Sequence, residues 1–230
     1  MTGDAIENLK TAKAAVVQVG DGRGFIVSAG DERYVITAAH CLPHHPSPHL
    51  ANSPTELAYP NIIGPLASNK QTIWAELAFD NLADDVAVFA APDGQELYDE
   101  LADYEAFTAA AMIIGKLPDV VAPSLPGIDA DPTAFASALE EWTRHDADAS
   151  VVAYVLSLNG EWQRCTVRNG GRFLRIVNQA GNHIIGGMSG SPIIDENGGV
   201  IGLVSTGDGD MNPSLIDCLP PWLLRKLDKA

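Results

Sequence analysis

Apolar and polar residues alternate along much of the chain, in short runs separated by glycine-containing turns. Ala14 to Val19 reads as a first strand. Gly20-Asp21-Gly22 turns it, Gly24 to Ser28 forms the second, and Ala29-Gly30-Asp31 turns again into Arg33 to Ala38. A period of two with β-branched residues and closely spaced turns predicts antiparallel strands. Thr72 to Leu77 and Asp85 to Ala90 read the same way. Further on, Val151 to Ser157 and Trp162 to Val167 are predicted strands joined by an Asn159-Gly160 hairpin turn, followed by Arg172 to Asn178 and Val200 to Ser205. Helical patterns are fewer. Residues 4–13 form one, with Asp4 as N-cap, and Gln95 to Phe107, rich in Ala, Glu and Leu, forms a second. Asp131-Pro132 opens a third, whose apolar face is Ala134, Ala138, Leu139 and Trp142, and Pro221 opens a last one over Trp222 to Leu227. Prolines 43, 46, 48 and 54 make 43–54 a loop, and Asp119 to Asp131 is another.

Length changes the picture little. At 230 residues and 46% hydrophobic the chain can bury a proper core, as one large domain or as two small six-stranded barrels. Charge changes it more. A net charge of −16 makes nucleic acid and anionic membrane poor partners. A basic peptide would be drawn in, weakly once salt screens the field. Three cysteines, Cys41, Cys165 and Cys218, cannot all pair within one chain and are read as reduced. Met1 to Gly20 has no charged-then-apolar signal pattern, since Glu7 and Lys10 interrupt it, and no 18-residue apolar run occurs. The expectation is a cytoplasmic protein without a membrane span, or a secreted one if the chain is a trimmed form. His44, His45 and His49 crowd one loop. Their proline-rich setting offers no rigid element for a further ligand, so a solvated loop with no metal is expected.

The chemistry is concentrated in Gly186-Gly187-Met188-Ser189-Gly190-Ser191-Pro192. A serine hydroxyl needs a base to take its proton and two N–H groups to hold an oxyanion. Glycines beside the serine let the backbone aim two N–H groups at one spot, and those of Gly187 and Ser189 are the candidate pair. Upstream, the strand Tyr34-Val35-Ile36-Thr37-Ala38-Ala39 delivers His40, followed by Cys41. Between the two lie candidate acids, Asp80, Asp84 and Asp85, the last two opening Val86-Ala87-Val88-Phe89. The order is therefore His, Asp, Ser. The α/β-hydrolases run Ser, Asp, His with G-x-S-x-G, whose last position is here Ser191; subtilisin-like enzymes run Asp, His, Ser. The remaining arrangement of that triad fits.

Through Thr37-Ala38-Ala39-His40-Cys41, Asp85-Val86-Ala87-Val88, Gly187-Met188-Ser189-Gly190-Ser191-Pro192 and Gly202-Leu203-Val204-Ser205-Thr206-Gly207, the sequence resembles the trypsin-like, chymotrypsin-fold serine peptidases. It is most similar to the compact bacterial branch with the HtrA and glutamyl-endopeptidase types. Gly22 to Val27 resembles that family's first glycine-containing turn and strand, and the likeness covers roughly residues 14–92 and 147–227.

The resemblance implies an all-β fold of two antiparallel six-stranded barrels. The first, residues 1–92, would carry His40 and Asp85; a partly helical linker would span 93–146; the second barrel, 147–230, would carry Ser189 and the closing helix. It implies a serine endopeptidase acting on a peptide or protein substrate through an acyl-enzyme, with no cofactor. Asp85 is the acid, because the family pattern places it directly before the Val-Ala-Val strand; Asp84 would be an exposed neighbour. Ser205, Thr206 and Gly207 would pair with the substrate strand by main-chain hydrogen bonds. Six residues before the nucleophile, where enzymes preferring Arg or Lys carry aspartate, stands His183. That argues against basic side chains and for small or medium neutral ones, with an acidic preference as the alternative; Ser214 falls where the family often has glycine. Cys41 occupies a half-cystine position of secreted relatives, but no cysteine lies near Asp21 to pair with it. Met188 replaces the aspartate that pairs with a newly cut N-terminus in trypsin, so regulation would act through loop order in 93–146 or 181–188. Two alternatives accompany this reading: a peptidase latent until a regulatory protein partner orders its loops, and a catalytically silent scaffold.

Overall fold

The computed structural model describes residues 3–45, 57–66, 68, 70–115, 150–169, 174–179, 184–205, 214–215 and 219–227. The chain opens with α1 (Gly3–Ala14) and continues through β1 (Val16–Val19), β2 (Gly22–Ala29) and β3 (Glu32–Thr37). After a 3-10 turn over Ala39–Cys41 come β4 (Ala58–Pro65), β5 (Ile73–Asn81) and β6 (Val86–Ala90). These six strands close a barrel in the order β1-β2-β3-β6-β5-β4, every recorded pairing antiparallel. Closure leaves no strand edge unpaired, and His40 sits at the barrel's rim, one residue into the turn that follows β3.

Next comes α2 (Tyr98–Phe107), packed on β5, with the Tyr104 hydroxyl donating to the Arg33 carbonyl at 3.0 Å. The helix expected from Asp131-Pro132 lies outside the described residues. The second half holds β7 (Val151–Leu156), β8 (Trp162–Asn169), β9 (Leu174–Gln179), β10 (Pro192–Asp195), β11 (Val200–Leu203) and β12 (Ser214–Leu215). They form one antiparallel sheet in the order β12-β11-β10-β7-β8-β9, and α3 (Pro221–Leu227) closes the chain. A mostly β architecture with one closed six-stranded barrel, a second six-stranded sheet and few helices matches the expected fold class. Among the described residues the second sheet is open between β9 and β12.

One predicted-strand omission stands out. No strand was expected over 58–65, yet β4 is there. Pro60, Gly64 and Pro65 break its alternation, Asn61 takes a left-handed φ of 53°, and the pairing with β5 shifts register between Tyr59 and Ile63. A bulged strand with prolines carries a weak period-two signal.

Strands β7, β10 and β11 of the second sheet are buried on both faces, which is why they read as continuous apolar runs. Ala153, Val155, Ile193 and Ile201 join Met188 and Val204 in a core of their own. Their neighbours Tyr154, Leu156, Ile194 and Val200 instead join the core that fills the barrel. Alternate residues of β7 thus face different cores, as the pleat requires. The second sheet thus separates the two cores, with one face packed on the barrel and the other on its own cluster. At the far end α3 is fastened to the barrel: the Trp222 ring lies 5.6 Å from that of Tyr34, and Lys226 donates to the Tyr34 hydroxyl at 2.8 Å and to Glu32. Among the described residues no helix is long and apolar enough to cross a membrane.

Candidate active site

Three of the site's side chains are joined by hydrogen bonds. His40 Nδ1 lies 2.8 Å from Asp85 Oδ2 and 3.0 Å from Oδ1, and the His40 backbone N–H donates to Oδ1 at 3.0 Å. The Ser205 hydroxyl donates to Asp85 Oδ2 at 2.5 Å. The carboxylate is therefore held on three sides, two by one residue of the barrel and one by a residue at the end of β11. Its accessible fraction is 14%, against 37% for the imidazole, so the carboxylate is sheltered while the imidazole is exposed. With the ring N–H given to Asp85, the tautomer leaves the Nε2 lone pair free to accept a proton.

Asp85 adopts φ 53°, a left-handed conformation that aspartate tolerates better than bulkier residues. It ends the turn 82–85 that links β5 to β6. The other two acids are engaged elsewhere. Asp80 Oδ2 is 3.0 Å from His45 Nδ1. Asp84, expected as an exposed neighbour, is instead half-buried and accepts from Asn81 Nδ2 at 2.6 Å. The turn folds Asp84 back onto Asn81, whose side-chain oxygen also accepts the N–H groups of Ala83 and Asp84. His44 stacks on Tyr59 with ring centroids 4.5 Å apart.

The serine loop is built from close approaches. Gly187 and Gly190 have φ of 88° and 78°, a region that favours glycine. A Cβ on Gly190 would stand 1.9 Å from the Arg23 carbonyl oxygen and 2.7 Å from Thr37 Oγ1, so no side chain fits there. Gly190 N donates to Val204 O at 2.7 Å, Ser191 N to Met188 O at 2.9 Å, and Met188 N to Ile185 O at 3.2 Å. Among the described residues no acceptor takes the N–H of Gly187 or of Ser189. Met188 is buried in the second core and anchors the loop there. The Ser189 carbonyl accepts the Arg23 N–H at 2.8 Å, which ties the loop to β2 of the barrel.

Among the described residues no hydrogen bond joins His40 Nε2 to the Ser189 hydroxyl. Nε2 lies 3.8 Å from Cys41 Sγ. Cys41 and Cys165 are free and buried, and burial first, with nearby Asp85 second, pushes the Cys41 thiol up to about 12. Such a thiol stays protonated at neutral pH and is no rival nucleophile. His183, Thr206 and Gly207 lie outside the described residues, as does Cys218; of the expected substrate-binding set, Ser205 is described.

One contact, of Ser205, and one residue, Arg23, escaped the sequence reading. Ser205 was expected to offer its backbone to substrate, and nothing in the spacing connects its hydroxyl to a carboxylate 120 residues away. Arg23 had a signal that went unused. It is a cation between two glycines at the head of an apolar strand, and the structure buries it at 5% exposure. Its Nη1 donates to the Leu156 carbonyl at 2.8 Å and the Ser157 carbonyl at 3.1 Å, with Ser191 Oγ at 3.5 Å.

Comparison with known proteins agrees with this architecture. Residues 22–203 match the family model described as a trypsin-like peptidase domain. A serine endoprotease from Yersinia pestis is similar in fold, with a TM-score of 0.51 at 15% identity over 100% of this chain and 68% of that one. The serine protease of a human pathogenic astrovirus is similar at 17% identity and a TM-score of 0.46, covering 91% of this chain and 92% of that one. An inactive form of an M. tuberculosis protease is similar at 18% identity and a TM-score of 0.48, covering 97% and 91%. No curated protein sequence matches the chain.

Proposed function

This chain belongs to the trypsin-like peptidase family, and we propose that it is a serine endopeptidase working through His40, Asp85 and Ser189. The observation that carries the reading is the His40–Asp85–Ser205 array beside a serine loop whose N–H groups at 187 and 189 are unclaimed among the described residues. In the proposed cycle Nε2 of His40 takes the Ser189 proton as Oγ attacks the peptide carbonyl. The N–H groups of Gly187 and Ser189 bind the oxyanion. Asp85 keeps the Nδ1 proton in place and offsets the imidazolium charge. His40 then gives its proton to the leaving amine, and water, deprotonated by the same nitrogen, releases the acyl group. The substrate is a peptide or protein strand lying against 205–207, with a small or medium neutral side chain in the pocket.

Labelling with a fluorophosphonate probe tests this. Wild type should become covalently labelled and Ser189→Ala should not. A second reading rests on the position of Nε2 near Cys41 rather than bonded to the Ser189 hydroxyl. Catalytic hydrogen bonds are often long before substrate binds, but a peptidase held latent until a protein partner orders its loops has the same appearance. It predicts a well-folded wild type that stays unlabelled alone and labels once the partner is added. Absence of labelling in both states would leave the catalytically silent scaffold.

A further inference from the structure

The buried guanidinium of Arg23 has no part in the cycle just proposed, yet both its main chain and its side chain reach the serine loop. Its N–H holds the Ser189 carbonyl at 2.8 Å, and its own carbonyl accepts the Thr37 hydroxyl at 2.7 Å and packs against Gly190. Its side chain leaves the barrel and crosses to the second sheet. There Nη1 gathers the Leu156 and Ser157 carbonyls at the end of β7 and approaches Ser191 Oγ, two residues past the nucleophile. The next residue, Leu158, would meet a Cβ on Gly187 at 3.5 Å. One residue thus touches the serine loop at Ser189, at Gly190 and at Ser191, and holds the strand end that leads to Gly187.

We infer that Arg23 is a positioning residue of the active site, a cationic clasp that sets the second sheet against the barrel so that Ser189 and the N–H groups of Gly187 and Ser189 stand in register with His40. The inference rests on the reading of Ser189 as nucleophile. Its chemistry suits the place. Among the described residues the side-chain acceptors are two carbonyls and a hydroxyl, all neutral, and burial lowers the pKa of Arg23 from the ordinary value. A group kept in so costly a setting is informative about geometry rather than about stability. A single nitrogen, Nη1, donates to two adjacent carbonyls, and the rigid guanidinium plane fixes the direction of its N–H bonds; a lysine ammonium can donate there but rotates freely and does not fix that direction.

The experiment compares wild type, Arg23→Met and Arg23→Lys. Fluorophosphonate labelling at several probe concentrations separates the saturating rate kinact from the half-saturating concentration KI. Misplacement of a reacting group by about 1 Å costs on the order of 100-fold. R23M is therefore expected to lose about 10- to 100-fold in kinact with KI changed less than about threefold, and R23K to recover part of the loss. Hydrogen exchange of the amides at 186–191 gives a readout independent of catalysis, and R23M should exchange faster there while the strands of the barrel keep their protection. A structural arginine and nothing more would lower the melting temperature while leaving kinact per folded molecule and the 186–191 protection at wild-type values, and that result would overturn the inference. Should R23M fail to fold, R23K decides on the same readouts. If wild type itself does not label, the reading of a constitutively active endopeptidase fails, while the exchange measurement still decides whether Arg23 positions the loop.

Discussion

Ser205→Ala isolates one contact of the proposed site. The Ser205 hydroxyl is one of three donors to the Asp85 carboxylate, with the His40 backbone N–H and ring Nδ1, and lies 2.5 Å from Oδ2. Hydrogen bonds to charged groups contribute about 1.5–3 kcal/mol. Removing the hydroxyl leaves Oδ2 with His40 Nδ1 as its remaining recorded donor. The part felt in the rate is the difference between resting state and transition state, because only that difference lowers the barrier. Charge on the imidazole grows along the reaction, so Asp85 matters more at the transition state; a differential of roughly half the bond, about 0.75–1.5 kcal/mol, means a fall of about 4- to 13-fold. A second effect adds to it. Asp85 sits at φ 53°, which costs about 1 kcal/mol or more for a non-glycine residue and persists only while its surroundings insist on it. With one tether gone the carboxylate can turn away from Nδ1, which sets an upper limit near 100-fold. The assay is the fluorophosphonate labelling rate of S205A beside S205T, which keeps the hydroxyl, with melting temperatures recorded for both. S205A labelling within about twofold of wild type, in a protein of wild-type stability, would refute the claim that this bond helps hold the acid.

Gly190→Ala should abolish labelling and reduce folded yield, because its Cβ would stand 1.9 Å from a backbone oxygen in a residue at φ 78°; soluble, labelled G190A would show the loop to be less tightly seated. The Cys41 and Cys165 thiols are both raised from 9.0 to about 12, chiefly by burial. The folded state therefore holds these protons where the unfolded chain loses them, so the stabilisation is whole below pH 9 and is lost as pH rises from 9 toward 12, at up to about 1.4 kcal/mol per pH unit for each thiol. Urea midpoints should fall between pH 9 and 11, and less steeply in C41A/C165A than in wild type; equal slopes would contradict the burial of the two thiols.

Much of the site was legible because it sits in contiguous motifs. His40 ends an apolar run, Asp85 begins one, and Ser189 lies in a glycine-flanked turn, so each announces itself within a few residues. Choosing Asp85 over Asp80 and Asp84 needed the family pattern, since local sequence gives all three acids similar surroundings. The structure supplies the physical distinction: the turn 82–85 folds Asp84 back onto Asn81, β5 carries Asp80 toward His45, and the left-handed residue at the turn's end aims its carboxylate at His40. Of the strands of the second half, β7, β8, β9 and β11 were readable by length and turn spacing. The two-sided burial of β7, β10 and β11 was not, because an apolar run does not say which residue faces which core. Strand β4 was missed for a different reason, since its prolines and bulge suppress the alternation on which the prediction rests.

The contacts that no pattern could disclose are those that cross from one sheet to the other. Ser205 to Asp85, Arg23 N–H to the Ser189 carbonyl, and the Arg23 guanidinium to the end of β7 all join the barrel to the second sheet. His40 and Asp85 are set by the barrel, whereas Ser189 and its neighbouring N–H groups are set by a loop anchored through Met188 in the other core. Each half can be correctly folded within itself while the distance between Nε2 and the serine hydroxyl is still unset. That distance is a property of the seam, and the seam is held by a few hydrogen bonds around the loop together with the apolar packing of Tyr154, Leu156, Ile194 and Val200 against the barrel. Packing of that kind resists separation but slides readily. Directional bonds to fixed carbonyls and to a sheltered carboxylate resist sliding, which is why the polar groups that cross the seam cluster beside the serine.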